Sequence, residues 1–466
     1  MKLDKLNLYS IITTLFFIAV YTALNNIGFI ALSILLIIHT FYSKSFPLKL
    51  ITTNGFIFIS LFVLQSLSLL YSNNTEFGIK QLEGQLWLLI IPILLIFTKE
   101  DEDNFIKFQK FFFLGGCFSI ALAFIYGIIF FDFNTISNND FIITKIIKHF
   151  TYHNLAGYVG NHALYYSCYL SFSTIIGLNI FFNQQKNSHK KYYLIAISVH
   201  VIVIFLLKST TITLGFVICF LMFLLNHIDI KSVKTKLYLS FLSSVICAVF
   251  MHIILLKARY YNNHYFDSAD FFQFYLPIII IGLFIPFGII YILHQKRMVI
   301  LSITFFIFLL TSFLALNYLK NHPEKLDYKN NYTNINARYG KWLSAVNIIK
   351  QKPFLGSGIG DRQDDLIKQY KVIDFPKAIS AKYNEHNQYL RYWLDSGVLS
   401  FLLFLFLIFF NFKRGFVNRD YTLISLCILL AIFSMTESCL IRQKGIIFFV
   451  FIFCLYDKRN YRKLAT

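Results

Sequence analysis

The chain has 466 residues, of which 57% are hydrophobic and only 14% charged, against about 25% charged in an ordinary soluble protein. That balance excludes a disordered chain, a coiled coil and a soluble domain built round one central core. The formal net charge is +20. A nucleic-acid binder would gather that charge on one basic face and a polytopic membrane protein in its cytoplasmic loops, so the positions of the charges decide between them.

A membrane-crossing helix needs roughly 20 apolar residues. Runs of that kind lie near 8–24, 27–43, 51–71, 85–98, 111–131, 162–182, 192–207, 210–227, 237–256, 274–294, 298–317, 396–411, 421–436 and 445–456. Two pairs, 192–207 with 210–227 and 421–436 with 445–456, are tight enough to be hairpins or partly re-entrant, so twelve to fourteen spans are expected. The first run is too long for a cleavable signal and lacks a small-residue cleavage site, so it reads as a retained span. The expected architecture is an all-α polytopic membrane protein. Eleven spans fill 1–317, one large and mostly helical loop fills 318–395, and the last spans and a tail fill 396–466. No internal repeat is visible.

With the N-terminus inside and fourteen spans, the inside segments hold 22 of the 43 basic residues and the short outside loops only eight. The other 13 sit in the loop 318–395, and long loops are exempt from the positive-inside rule. The asymmetry predicts both termini in the cytoplasm and the long loop outside. The cysteines at 117, 168, 219, 247, 427, 439 and 454 all lie in or beside spans, which reads as small buried residues rather than a disulfide or metal framework.

Within the long loop, Trp342, Val346 and Ile349 recur at helical spacing after Arg338, and Pro353 stops that helix. The turn Phe354-Leu355-Gly356-Ser357-Gly358-Ile359-Gly360 follows. It has neither the preceding strand nor the following Lys-Ser/Thr of a nucleotide loop, so close backbone approach is the expected use of its glycines. A second helix is predicted over Asn384–Asp395, closed by Gly397. Its His386 is a candidate general base, and Arg338 offers a fork of donors suited to phosphate oxygens. As a plain alternative, His386 is a surface histidine near a helix start.

Other polar groups fall at the same side of the expected membrane. Glu437 ends a late span, followed by Arg442 and Lys444; it is a functional candidate by position or one half of an ion pair that holds the hairpin. Lys208 sits in a tight turn, where it is a binding candidate or a snorkelling lysine. His162, Tyr165 and Tyr166 open a span, as site residues or as an aromatic belt.

The pattern resembles the O-antigen ligase and polymerase superfamily. The resemblance rests on Arg338 four residues before Trp342, then Pro353-Phe354-Leu355-Gly356-Ser357-Gly358, then His386-Asn387-Gln388-Tyr389-Leu390, then Gly397 entering a span. Weaker echoes are Leu70-Tyr71-Ser72-Asn73-Asn74 with Glu83 and Pro92, and Glu437 with Gln443 and Gly445. Such proteins are similar to GT-C-type glycosyltransferases of the bacterial inner membrane. They act at the periplasmic face, without metal or other cofactor, on polyprenyl-diphosphate-linked glycans.

The resemblance implies that His386 and Arg338 are catalytic. It gives Lys208, Asn387, Arg391, Glu437, Arg442, His162 and Tyr166 as substrate-binding candidates, with Glu437 orienting His386 or pairing with a basic group. The family has an arginine where this chain has Lys208, which keeps the charge but not the bidentate fork. The implied partners are the lipid-linked donor, a lipid A–core or other glycan acceptor, and membrane lipids, with no role for nucleic acid. The expected reaction is an O-antigen ligase-like transfer. A polymerase or a protein O-oligosaccharyltransferase of the same superfamily is the near alternative. A transporter or flippase is the alternative from another class; such proteins carry ionisable groups at the bilayer midplane and internal repeats.

Overall fold

The computed structural model describes residues 2–18, 51–96, 102–131, 149–183, 187–227 and 334–465, with single positions besides. The expected spans at 27–43, 237–256, 274–294 and 298–317 lie outside the described residues, single positions apart. All regular structure among the described residues is helical, and the protein is an all-α polytopic membrane protein. Among the described residues six helices are long and apolar enough to cross a membrane: Thr53–Tyr71, Thr75–Ile96, Asp103–Ile129, Ala163–Asn183, His189–Leu206 and Gln388–Val417. Leu8–Ile18, Thr210–Leu224 and Tyr421–Thr436 are shorter apolar helices.

The chain divides into two compact units. The first comprises 1–223, 342–369 and 382–466 and holds α1 (Lys2–Ile18), α2 (Thr53–Ser68), α3 (Thr75–Gln85), α4 (Trp87–Ile96), α5 (Glu102–Ile129), α6 (Tyr152–Gly157), α7 (Ala163–Asn183) and α8 (Asn187–Leu206). Most of α9 (Thr210–His227), the end of α10 (Asn334–Gln351), most of α11 (Arg362–Val372), α13 (Gln388–Val417), α14 (Tyr421–Thr436) and α15 (Gln443–Ala465) complete it. The second unit comprises 224–341 and 370–381. Its described part holds the start of α10, with Arg338, and the short helix α12 (Pro376–Ser380), beside which Tyr370 and Phe375 meet edge to face at 5.7 Å.

Several helices outrun the apolar windows that announce them. α5 starts at Glu102 rather than near 111, α8 at Asn187 rather than 192, and α15 runs from Gln443 to Ala465 around an expected 445–456. The region expected as a span at 85–98 begins at Thr75, where the Asn74 side chain caps Phe77 N at 3.2 Å. Polar turns that prolong a helix past the hydrocarbon layer carry no hydropathy signal, so a window sees only the middle of each element.

The centre of the first unit follows the composition of two helices. α15 is apolar all round from Ile446 to Leu455 and is buried throughout that stretch, as a helix without a polar face must be; it packs on α2 and α4. α7 is lined with Ser167, Ser171, Ser173 and Thr174, all buried, and packs on α5, α8 and α14. Two of these hydroxyls return to their own helix, Ser171 to Ser167 O at 2.7 Å and Thr174 to Leu170 O at 2.7 Å, which leaves a low surface for close helix approach. Across one such contact His200 of α8 bonds Ser173 at 3.2 Å and stacks on Phe113 of α5.

Gly397 fixes how the loop region meets the membrane part. It has φ +80 and sits where α13 breaks, so its C-cap character agrees with expectation, although helical residues continue on both sides. A Cβ here would run into the carbonyl of Phe354, and one on Gly356 into the carbonyls of Trp393 and Leu394. The glycine-rich turn is thus laid against the break: Ser357 N donates to Leu394 O at 2.7 Å and Val398 N to Phe354 O at 3.1 Å. On its other side Ile359 N donates to Ser68 Oγ at 3.0 Å, and Asp361 receives the backbone N–H groups of Asn73 and Asn74 at 2.8–2.9 Å.

Beneath the turn lies a buried ion network. Arg362 Nη1 meets Glu385 Oε2 at 2.9 Å and Arg362 Nε meets Asp395 Oδ1 at 2.9 Å. Arg391 bonds Asp395, lies 3.7 Å from Glu385 Oε1 and donates to Gln81 Oε1 at 2.8 Å. Ser438 Oγ donates to Glu385 Oε1 at 2.9 Å. Two arginines and two carboxylates cancel in charge and share their hydrogen bonds, which is the condition under which buried charges are tolerated.

Two outcomes test this framework in detergent-solubilised protein by thermal unfolding. Gly397→Ala destabilises by at least about 1–3 kcal/mol, the cost of holding a Cβ-bearing residue in that region, and more once the Phe354 carbonyl is displaced. Glu385→Gln leaves excess positive charge buried and costs about 3–5 kcal/mol. Burial pushes the Glu385 carboxyl up, but Arg362 and then Arg391 pull it net below its ordinary 4.5. A depressed carboxylate contributes stability above its unfolded value and loses it as pH falls through the folded one. The gap between wild type and Glu385→Gln therefore stays constant from pH 8 to about 5 and closes at more acid pH.

Candidate functional site

The residues around His386 alternate in what they hold. Glu385 points into the ion network, while its backbone carbonyl accepts from Trp342 Nε1 at 3.1 Å. Asn387 is the N-cap of α13: its Oδ1 accepts from Leu390 N at 3.1 Å and its Nδ2 donates to Met435 O at 3.2 Å. The helix expected from Asn384 therefore starts at Gln388, where Asn387 supplies the cap. Between two anchored neighbours, His386 takes φ +47, a conformation that few non-glycine residues adopt.

This backbone turns the imidazole to the end of α14. His386 Nδ1 lies 3.2 Å from Glu437 Oε2, with the two side chains 29% and 9% exposed. Glu437 has extended backbone just past Thr436. Burial raises its carboxyl, but the hydrogen bond and charge of His386, with the charges of Arg442 and His162, bring it net below the ordinary value. It is ionised at neutral pH. With Nδ1 facing that carboxylate, the imidazole is held in one orientation, the arrangement a general base needs.

His162 borders the same carboxylate. Burial first, then His153, Arg442 and Lys444, push its imidazole down to about 4 against the opposing pull of Glu437. It is neutral at pH 7, and its Nδ1 accepts from Leu164 N at 3.3 Å, which places its proton on Nε2 as a donor rather than a cation. Its ring meets that of His153 at 4.3 Å. Lys444 Nζ donates to Gly160 O. His386, Glu437, His162 and Arg442 thus form one electrostatic group.

The other expected site residues are placed differently. Tyr166 is fully buried, its hydroxyl 3.1 Å from Ser119 Oγ in the contact of α7 with α5, so it is a helix-packing group and not an exposed belt residue. Arg391 is 1% exposed and committed to Asp395, Glu385 and Gln81; it positions the site from beneath. Lys208 is exposed in the turn between α8 and α9, with φ +49. Arg338 is half-buried on α10 and belongs to the second unit.

Arg362, Glu385 and Ser438 escaped the sequence reading. Glu385 and Ser438 stand beside His386 and Glu437 in the chain, and that double adjacency was the available signal. Arg362 is separated from Glu385 by 22 intervening residues, and nothing local marks the pair. The loop's 13 basic residues face eight acidic ones, and Lys352 and Lys368 both pair with Asp365, at 2.8 and 3.1 Å. Among the described residues no group of three His, Cys, Asp or Glu side chains is arranged to hold a metal ion.

Comparison with known proteins meets this geometry at one segment. A stretch of 107 residues, 22% of this chain, is 28% identical to an uncharacterized protein of Haemophilus influenzae and covers 27% of that protein's length; the match thus spans about a quarter of the relative. Residues 277–405 match the family model described as O-antigen ligase. That segment contains Arg338, the glycine-rich turn, the ion network's Arg362, Glu385, Arg391 and Asp395, and His386. The match over this segment supports a place for the chain in the O-antigen ligase superfamily.

Proposed function

We propose that this protein transfers a glycan from a polyprenyl-diphosphate carrier to an acceptor hydroxyl, that of lipid A–core in the first instance, at the periplasmic face of the bacterial inner membrane. The observation that carries the reading is the His386–Glu437 pair: a partly open imidazole, oriented by a buried ionised carboxylate, at the ends of apolar helices, with the histidine inside the segment similar to O-antigen ligases. The acceptor oxygen attacks the anomeric carbon while the bond from that carbon to the diphosphate oxygen breaks and its electrons leave with the diphosphate. His386 takes the acceptor's proton, and Glu437 stabilises the imidazolium that forms. The charge-balanced network under Glu385 holds the ring in place, so little reorganisation accompanies proton transfer.

The leaving diphosphate needs cations. Arg338 is the first candidate by its fork of donors, with Arg442 and Lys208 as further ones. His162, as a neutral donor through Nε2, suits a sugar hydroxyl better than a phosphate. The N- and C-termini lie in the cytoplasm in this reading, as the distribution of basic residues implies. Ligase, polymerase and protein transferase share this chemistry and differ in acceptor. Loss of all polymer on lipid A in a deletion strain, with donor chains still extending, identifies the ligase; short single-unit products identify the polymerase.

In proteoliposomes with purified polyprenyl-diphosphate glycan, His386→Ala lowers kcat roughly 10²- to 10⁴-fold with little change in donor KM. Glu437→Gln, which keeps shape but not charge, lowers kcat by less. Full activity in His386→Ala with normal membrane insertion would falsify the mechanism. Arg338→Ala raises donor KM roughly 10- to 100-fold, the loss expected for charge-assisted hydrogen bonds of about 1.5–3 kcal/mol. An unchanged donor KM in Arg338→Ala and in Arg442→Ala together removes the phosphate clamp from the proposal.

A further inference from the structure

The glycine-rich turn has been described by what its backbone holds; its side chains point elsewhere. Phe354 is 77% and Leu355 64% exposed, and Leu70, at the end of the neighbouring span, is 85% exposed. Below them on α13 Leu399 and Leu402 are exposed as well, and both lie within the membrane-crossing helix Gln388–Val417. Exposed apolar residues on a spanning helix face lipid, and Phe354 and Leu355 continue that surface at its upper edge.

Two details fix the level. Trp393 donates its indole N–H to Pro353 O at 2.7 Å and stacks on Phe401 at 4.6 Å, with a polar end and an apolar body as expected of an interfacial tryptophan. One residue before the proline, Lys352 reaches the ion pair with Asp365, so charge resumes where the apolar tip ends. Tyr71, also at the end of a span, donates its hydroxyl to Leu355 O at 2.7 Å, which satisfies a carbonyl that lipid would otherwise leave unpaired.

We infer that Pro353–Leu355 is a membrane hook, with Phe354 and Leu355 seated among the acyl chains of the leaflet on the His386 side. The hook sets depth. It is bonded to the α13 break through Ser357 and Val398, the turn runs on into Arg362, and Arg362 holds Glu385 beside His386. Seating two side chains in the leaflet therefore holds the imidazole at a constant height over the headgroups. The occupant is the bilayer itself, because the patch is continuous with the lipid-facing sides of two spans rather than enclosed as a groove.

The test places a tryptophan at the tip. Phe354→Trp and, separately, Leu355→Trp are reconstituted in nanodiscs of ordinary or acyl-chain-brominated phosphatidylglycerol and phosphatidylethanolamine, with wild type as the background. The expected result is that the added emission is blue-shifted, is lost in brominated lipid and is insensitive to aqueous acrylamide. Emission quenched by acrylamide and untouched by bromine overturns the hook. Emission insensitive to both, from a tip covered by protein, overturns it as well. Protection that arises only after polyprenyl-diphosphate glycan is added assigns the patch to the donor's chain and also rejects the bilayer as occupant. Both variants are apolar replacements at exposed positions, so a folding failure in both would itself contradict the exposure on which the hook rests.

Discussion

Everything near His386 depends on one carboxylate being ionised in a fully buried position. Glu385 is fully buried and keeps its charge because Arg362 and Arg391 approach it from two directions and Ser438 completes its shell. Neither arginine would be tolerated there alone, and Asp395 balances the second positive charge. The network draws together the loop region after the glycine turn, the break in α13, α3 through Gln81, and the residue after Glu437. A hydrophobic cluster of the same size could supply comparable stability. It would not align the 385–387 and 435–438 segments so closely, and three side-chain bridges, at Glu385–Ser438, His386–Glu437 and Asn387–Met435, register them residue against residue.

The opposite ends of the same helices are clamped by similar means. Asn54 and Asn411 exchange amide hydrogen bonds at 2.9 and 2.6 Å, and Asp457 caps the start of α2 at Asn54 N while pairing with Arg414. In lipid the apolar faces of helices gain little from one another, so polar bridges and close packing carry helix association. Here the bridges are placed at both ends and the middle is left to α7 and α15. The result is a fixed frame between two polar clusters, of which the one with the histidine is partly open.

Much of this was legible in the sequence, for physical reasons that differ by element. The spans at 51–71, 162–182 and 421–436 stand almost where hydropathy placed them, since lipid demands an unbroken apolar run. The stop before Pro353 and the cap-like role of Gly397 were legible because proline and glycine act through their own backbone geometry. The start of α13 was misplaced because Asn384 and Asn387 are equally good caps on paper. Tyr166 was misread because a span's first turn looks interfacial whether it meets lipid or another helix. Least legible was the fate of charge: Arg362 and Arg391 add to a basic total in the sequence, and in the structure both are internal to a neutral cluster.

That last point changes what the net charge of +20 means. Half of the basic residues fall where the positive-inside rule expects cytoplasmic segments, and the 13 in the long loop looked like a concentrated anion site. Four of those 13 are now bound to carboxylates: Arg362 and Arg391 in the network, Lys352 and Lys368 on Asp365. Those four charges are spent inside the protein and are not available to an anion that reaches His386. A few well-oriented donors would suit the proposed reaction, which releases a diphosphate, because a dense positive field binds product and substrate alike and slows its departure without favouring the transition state.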